Sequence, residues 1–176
     1  NIEDFIGLIT YATGDYQTWN KETKTYTSGS DAVMINSALP VVDVTTKAMD
    51  KRAFGVLSNQ EDQPKKDPDT GKYEKDGEVV SGSNAVYAFN RLHTGQVRVN
   101  SIGEGAIWVC NISGSVENGD YITTCEVPGY GCKQNDDLLH NYTVAKATQP
   151  LDFSTVSVDS DLGYKSVLIA CTYHCG

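Results

Sequence analysis

Residues 96–134 read QVRVNSIGEGAIWVCNISGSVENGDYITTCEVPGYGCKQ, and this stretch predicts an all-β fold. Apolar and polar side chains alternate over residues 96–101 and again over residues 106–112, which is the period of half-buried strands. Glycine-containing segments separate these runs and supply the positive φ angles that tight turns need. They are Gly103-Glu104-Gly105, Ser113-Gly114, Asn118-Gly119-Asp120 and Pro128-Gly129.

One turn in this stretch has a specific signature. Glu117-Asn118-Gly119-Asp120 stands directly before the aromatic and β-branched run at residues 121–124. An Asn-Gly pair in that setting favours a type I′ turn, because both central residues tolerate a positive φ. The sequence therefore predicts a β-hairpin centred on Asn118 and Gly119.

Further strand-like runs occupy much of the remaining chain. The apolar run at residues 1–13 predicts a central strand, and the polar run at residues 14–31 predicts a loop or an exposed hairpin. Pro40 is expected at a strand start or edge, because proline cannot donate a hydrogen bond to a ladder. Other strands are predicted at residues 53–58, 85–89, 142–148 and 164–173, and a short helical or irregular piece at residues 135–140. About ten strands with little helix define a small barrel or sandwich with long polar excursions.

Residues 59–83 differ from the rest of the chain in composition. They are rich in charged residues and turn-forming proline and glycine, which predicts a mobile insertion outside the core. A chain of 176 residues suits one such core, so we expect a single β domain over residues 1–176.

The charge and the apolar pattern exclude some classes of partner. The formal net charge is −9, and polyphosphate binding requires clustered Lys and Arg, so nucleic acid is not an expected partner. No apolar run is long enough to cross a bilayer as a helix, so membrane insertion is not expected. The chain begins without Met, which suggests a fragment or a processed product.

The five cysteines do not form a metal-binding motif of standard spacing. Cys110, Cys125 and Cys171 lie in apolar strand-like runs, where a small buried thiol is common. Near the end of the chain, a strand would place Cys171 and Cys175 on one face and His174 on the other. We therefore predict no metal and no cofactor.

Standard catalytic motifs are also missing from the sequence. His93, His140 and His174 accompany no nucleophile elbow, phosphate-binding loop or dinucleotide fingerprint. The acidic pair Asp136-Asp137 is typical of a solvated loop. Glu3 and Asp4 are of more interest, since paired carboxyl groups beside a scissile bond can act as general acid and base.

Four segments resemble a known family: GEGAIWVCN, GSVENGDYITTCEVPGYGCKQ, NYTVAKAT and the terminal ACTYHCG. The chain resembles the intramolecular chaperone autoproteolytic cleavage domain, peptidase family G2. That domain lies at the C-terminus of viral and phage tailspike, fibre and neck-appendage proteins. The resemblance extends over residues 98–148 and 165–176, with a shorter match at residues 53–61, and covers somewhat under half of the chain.

The resemblance implies a homotrimer-forming module that registers three copies of an upstream fibre and is then released by self-cleavage at its own N-terminus. Such a module suits fibres, because non-local strand pairing is slow and prone to register errors. It also implies a protein that is virion-associated, or in the host cytoplasm during virus assembly. The enzyme would be a single-turnover endopeptidase acting on its own chain.

The family resemblance also implies which residues take part in cleavage. Family members open with a pattern like Asp-Tyr-Ala-Glu, in which the first residue follows the scissile bond and the Glu takes part in cleavage. Position by position this places Asn1 on the Asp and Asp4 on the Glu, with Glu3 as the second candidate acid. Asn1 is not a carboxylic acid, so Glu3 and Asp4 carry the role, or cleavage lies upstream, or this member does not cleave.

A second hypothesis comes from a different class of protein. The chain contains ten tyrosines, a residue suited both to interfaces and glycan stacking and to the half-buried faces of β-proteins. The alternative to a self-cleaving chaperone is therefore a non-cleaving trimeric fibre tip that binds a host receptor or glycan.

Overall fold

The fold is nearly all β. The computed structural model describes residues 2–20, 25–28, 33, 35, 38–58, 65–66, 73–75, 78–79, 86–89 and 93–175. Strands β1 to β7 are Ile9–Asn20, Thr25–Ser28, Leu39–Val44, Ala53–Leu57, Lys65–Lys66, Tyr73–Lys75 and Glu78–Val79. Strands β8 to β14 are Val86–Phe89, His93–Asn100, Ile102–Cys110, Tyr121–Thr124, Gly131–Lys133, Thr143–Ala147 and Ser166–His174. Short 3-10 helices occupy Ile2–Phe5, Asn111–Ser113 and Phe153–Thr155.

The first half of the described chain forms a curled sheet with the order β2-β1-β3-β8-β9-β4. An additional antiparallel pairing of β1 with β4 brings the two sides of this sheet together. Thr10 of β1 lies opposite both Val44 of β3 and Gly55 of β4, so β1 is the strand on which the sheet closes. A separate small sheet joins β5, β6 and β7.

The second half forms a closed five-stranded barrel with the order β10-β12-β11-β13-β14. Its longest ladder joins β10 and β14 over nine antiparallel residue pairs, from Ile102 opposite His174 to Cys110 opposite Ser166. The barrel closes through a parallel contact of β10 with β12 at Val109 and Gly131. Closure removes unpaired strand edges, at which other chains could otherwise add a strand.

Side chains alternate along β10 and β14, and one face of each strand contributes to the core of the barrel. Ile107 and Val109 of β10 are fully buried, and Ile169 and Cys171 of β14 belong to the same cluster, while Leu168 faces outward. Ile9 and Val56 of the curled sheet also belong to this cluster, so the sheet packs against the barrel. The alternation expected from the sequence is present in both barrel strands, because strand side chains point alternately to opposite faces.

The all-β prediction is confirmed, but several local predictions are wrong. Residues 1–13 are not one strand, because a 3-10 helix at Ile2–Phe5 precedes β1. The predicted turn at Gly103-Glu104-Gly105 lies inside β10. Pro40, by contrast, is the second residue of β3, as its missing N–H predicts.

The turn at Asn118 and Gly119 forms, but it is not type I′. Gly119 has a φ of 100°, whereas Asn118 is not among the described residues with positive φ. Asp120 N–H donates to Glu117 O over 3.1 Å, and β11 follows. β11 then pairs with β12 and β13, which both come later in the chain, so the turn starts β11 without forming the expected hairpin.

Two predicted loop regions have different outcomes. β1 and β2 pair antiparallel, from Gln17 opposite Ser28 to Asn20 opposite Thr25, which agrees with the exposed hairpin among the alternatives predicted for residues 14–31. Within the predicted insertion at 59–83, the described residues are those of β5, β6 and β7. The other residues of 59–83, for which the sequence predicts mobility, lie outside the described residues. No helix in the described part of the chain is long and apolar enough to cross a membrane.

Candidate functional site

Glu3 and Asp4 lie together on the first 3-10 helix, and both side chains are exposed. Leu8 N–H donates to Phe5 O over 3.1 Å and Ile6 N–H to Glu3 O over 3.4 Å, which tightens the turn that follows. Asn1, the residue that would follow the scissile bond, lies outside the described residues. The structure therefore brings the two candidate acids to the surface on one short turn.

Gly7 fixes this turn to the rest of the molecule. Its N–H donates to Leu57 O in β4 over 2.9 Å, and its carbonyl accepts from Trp108 N–H in β10 over 3.0 Å. A Cβ at residue 7 would lie 2.6 Å from Trp108 Cδ1, and the φ of 87° is one that glycine adopts freely. Asp4 and Glu3 thus lie three and four residues before Gly7, whose backbone is hydrogen-bonded to both the sheet and the barrel.

A cavity of about 210 Å³ lies beside β11 and β12. Its walls come from the ends of these two strands, from the segment after β10 and from the loop before β4. Met49 lies at its edge with a φ of 49°, a conformation that a residue with a Cβ rarely adopts. Asp50 N–H donates to Thr124 Oγ1 over 2.8 Å, which ties that loop to β11.

Gln134 organises the loop that forms the polar wall of the cavity. Its side chain is buried, and its Nε2 lies 2.7 Å from Leu138 O and 2.9 Å from Asp136 Oδ1. Its Oε1 accepts from Thr143 Oγ1 over 2.6 Å, and Thr143 Oγ1 in turn accepts from His140 N–H over 3.0 Å. Because a buried amide must be hydrogen-bonded, this one side chain determines the course of residues 135–142 around it.

His140 and Asp136 form a side-chain hydrogen bond at the outer end of this loop. His140 Nε2 lies 3.0 Å from both carboxylate oxygens, and the imidazole stacks on Tyr142 with ring centroids 4.5 Å apart. Hydrogen bonding from His140, then from Leu138 N–H, lowers the pKa of Asp136. The prediction that Asp136 lies in a solvated loop is confirmed by its exposure, but its role in shaping the loop was not foreseen.

A cluster of three thiols adjoins the cavity. Cys110, Cys125 and Cys132 pack with Val127 in a small buried cluster, and Cys125 and Cys132 also line the cavity. The prediction that Cys110, Cys125 and Cys171 are buried thiols is confirmed, and Cys132 is a fourth. Within the described residues, no group of three or more His, Cys, Asp or Glu side chains has a geometry that could hold a metal ion.

Sequence patterns did not predict two features of this site: the hydrogen-bond network around Gln134 and the buried position of Cys132. The residues that converge on Gln134 lie in an irregular loop without a repeating spacing, so no pattern linked them. Cys132 lies on a strand of three residues, too short for an alternation to show which face it uses. Both features depend on the closing of the barrel, which brings β10, β11 and β12 together.

The fold defines an all-β protein with a closed five-stranded barrel and a curled sheet. No family model, no curated protein and no solved structure matches the chain.

Proposed function

We propose that this chain is a C-terminal intramolecular chaperone that promotes trimerisation and registration of an upstream viral fibre or tailspike and is then released by self-cleavage. The observation that carries the proposal is the placement of Glu3 and Asp4 on an exposed turn that Gly7 anchors to both β4 and β10. Self-cleavage needs carboxyl groups near the scissile bond and an accessible incoming chain, and two exposed carboxyl groups on an anchored N-terminal turn support this proposal.

In the proposed mechanism Asp4 is the main acid and Glu3 the second carboxyl group. The peptide bond before Asn1 would be cut by a water or side-chain nucleophile, with one carboxyl group accepting a proton and the other donating one to the leaving amine. Because the turn is attached to the closed barrel, the acids keep their positions relative to the folded module. The closed barrel suits the chaperone role, since all of its strands pair with one another within this chain.

The test is mass spectrometry of a longer chain in which the proposed fibre precedes Asn1. We expect the unmodified chain to yield two fragments and Asp4→Ala to lower the cleavage rate by roughly 100-fold or more, which is what a general acid or base contributes. Asp15→Ala is the matched control, since Asp15 is exposed in β1 away from the turn. An unmodified chain that remains intact after trimerisation would contradict the cleavage proposal.

The cavity favours a second candidate function, a non-cleaving fibre tip that binds a host glycan. Tyr142 lines the cavity together with Lys133, Gln134 and Asp136, which combines an aromatic ring with hydrogen-bonding groups. Such a combination suits a sugar, whose apolar face stacks on a ring while its hydroxyl groups bind polar side chains. A glycan array should then show binding that Tyr142→Ala removes and that Tyr164→Ala, at an exposed tyrosine outside the cavity lining, retains. An array without binding contradicts this second function.

A further inference from the structure

The three thiols next to the cavity converge because of the way the barrel closes. Cys110 is the last residue of β10, Cys132 is central in β12, and Cys125 directly follows β11. β12 pairs with β10 on one side and with β11 on the other. The three side chains form a cluster apart from the barrel core, where Val127, Tyr130 and Leu162 cover them.

Two of the thiols are in direct contact. Cys110 Sγ lies 3.6 Å from Cys125 Sγ, and these residues are 0% and 1% exposed. A disulfide has an S–S bond of about 2.05 Å, so an approach of roughly 1.5 Å would close one. Their cluster is separate from the barrel core cluster, so this movement involves the segment after β11 without repacking the barrel interior.

We propose that Cys110 and Cys125 form an oxidisable pair, which a small hydroperoxide converts into a disulfide. The Cys110 sulfur attacks one peroxide oxygen, so that an S–O bond forms, the O–O bond breaks and hydroxide leaves. The Cys125 sulfur then attacks the resulting sulfenic sulfur, so that the S–S bond forms and the S–O bond breaks. The two thiol protons join the two hydroxide ions, and in sum two thiols and hydrogen peroxide give one disulfide and two water molecules.

The hydrogen bonds assign the two roles. The hydrogen bond from Cys125 lowers the pKa of Cys110 to about 7, so a large share of this sulfur is thiolate at neutral pH. The same contact raises the pKa of Cys125, whose thiol also lies 3.4 Å from Tyr130 O. Thiolates attack peroxides and thiols do not. Hydrogen bonding to Cys125 lowers the pKa of Cys132 as well, but the sulfur–sulfur contact of 3.6 Å joins Cys110 and Cys125, so in this pair Cys110 attacks and Cys125 resolves the sulfenic acid.

The cavity brings an oxidant to the edge of the thiol cluster at Cys125 and Cys132, whereas Cys110 lies behind them and is not part of the cavity wall. Cys125 and Cys132 form part of its wall, and Ile112 and Ser113, just after Cys110, form another part. Hydrogen peroxide is hardly larger than water, so a cavity of about 210 Å³ admits it.

The remaining two cysteines, Cys171 and Cys175, lack a lowered pKa and serve as a comparison within the same protein. Burial raises the pKa of both Cys171 and Cys175 to about 12, so both stay protonated at neutral pH. Cys175 is nevertheless more exposed than Cys110, Cys125 or Cys132. If exposure governed oxidation, Cys175 would react first, whereas the proposed mechanism selects the buried pair.

The experiment is a peptide map of the folded protein after treatment with hydrogen peroxide. The reaction is stopped by alkylation in denaturant, and cleavage after glutamate and lysine then separates the cysteines into peptides 105–117, 118–126 and 127–133. We expect peptides 105–117 and 118–126 to be joined, and a reducing agent to release them. A link from 118–126 to 127–133 instead, or oxidation of Cys175 without any link, would overturn the proposal.

Cysteine variants and a measurement of thermal stability form the second part of the experiment. Cys175→Ser should keep the link, and Cys110→Ser should abolish it. Because the new link spans 15 residues of chain, it should raise the thermal midpoint of the oxidised protein by roughly 5–10 °C over the reduced one. The peptide map of the unmodified chain decides the proposal even if Cys110→Ser does not fold.

Discussion

At the scale of single residues, Gly7 decides how the N-terminal turn meets the rest of the molecule. It has a positive φ, and both its N–H and its carbonyl are hydrogen-bonded, to β4 and β10 respectively. Trp108 and Leu168 lie directly against the position where a Cβ would be. A residue with a side chain therefore meets two obstacles here, backbone strain and a steric clash.

We predict that Gly7→Ala lowers the free energy of unfolding by about 2–5 kcal/mol, because the backbone cost of about 1 kcal/mol is joined by displacement of the Trp108 ring. Gly163→Ala is the matched control, since Gly163 has a φ of 77° and a Cβ there would have no neighbouring atom within 4 Å. It should cost only about 1 kcal/mol. Urea unfolding monitored by tryptophan fluorescence measures both, and equal losses would contradict the role of Trp108.

Asp50 is a second residue on which stability depends. Its side chain is 4% exposed, and its carboxylate accepts from Arg52 Nε over 2.9 Å and from a terminal guanidinium nitrogen over 2.8 Å. The hydrogen bond from Arg52 is the main cause that lowers the pKa of Asp50 below its usual value. Arg52 in turn lies over the ring of Tyr11 at 4.2 Å, so the pair links the loop to β1.

The lowered pKa predicts the direction of a pH dependence. A carboxyl group with a lower pKa in the folded than in the unfolded state stabilises the fold above the unfolded value of about 3.9, and this contribution is lost as pH falls through the folded pKa. Asp50→Asn should therefore lower the free energy of unfolding by about 1–3 kcal/mol at pH 7 and by progressively less below about pH 4. The control Asp15→Asn, at an exposed site, should change it by less than about 0.5 kcal/mol. A loss for Asp50→Asn that is independent of pH would refute the ionic contribution.

At the scale of elements, the loop between β12 and β13 owes its form to one buried hydrogen-bond network. Thr143, the first residue of β13, both donates to Gln134 Oε1 and accepts from His140 N–H. The loop contributes Asp136 and Tyr142 to the cavity, so the network also determines the shape of that cavity.

Thr143→Val tests the network with almost no change in volume. The substitution leaves Gln134 Oε1 and His140 N–H without their partner, so we expect a loss of about 1–3 kcal/mol in stability. Hydrogen exchange of the amides in residues 135–142 should become faster, while exchange in β10 and β14 stays unchanged. Thr148→Val, at an exposed residue just after β13, is the control. Unchanged exchange in the loop would show that other contacts hold it.

At the scale of the whole molecule, the ladder of β10 with β14 presents an outer face with exposed apolar side chains. Ile102 is 76% exposed and Leu168 is 46% exposed, and the pairs Glu104 with Thr172 and Ala106 with Ala170 lie between them. Trp108, opposite Leu168, connects this face to the turn that carries Glu3 and Asp4. Exposed apolar side chains on a regular face suit burial against other copies, which the proposed chaperone requires.

Under the proposed function the isolated chain is a trimer in sedimentation equilibrium, and the double variant Ile102→Asp with Leu168→Asp dissociates into monomers. Charged side chains at these positions would have to be buried without partners, which costs several kcal/mol per interface. Val158→Asp is the control, since Val158 is 58% exposed in the loop before β14. A chain that sediments as a monomer would contradict the trimer, whereas a trimer that the double variant preserves would place the interface elsewhere.

Local sequence was enough to establish the class of the fold and the alternation along its long strands. The alternation predicted over residues 106–112 and 164–173 put Ile107 with Val109 and Ile169 with Cys171 on common faces, because side-chain direction in a strand follows from the backbone alone. Packing decides that these faces are the buried ones. Proline chemistry likewise placed Pro40 near the start of β3.

The pairing of the strands and the contacts between distant side chains depend on tertiary packing. The type I′ prediction failed because β11 finds its partners in later strands, and no local signal encodes that choice. The anchoring of Glu3 and Asp4 through Gly7, the loop around Gln134 and the contact of Cys110 with Cys125 likewise join distant parts of the chain. Their common physical cause is closure of the barrel and packing of the sheet against it, which are non-local events that a sequence pattern does not contain.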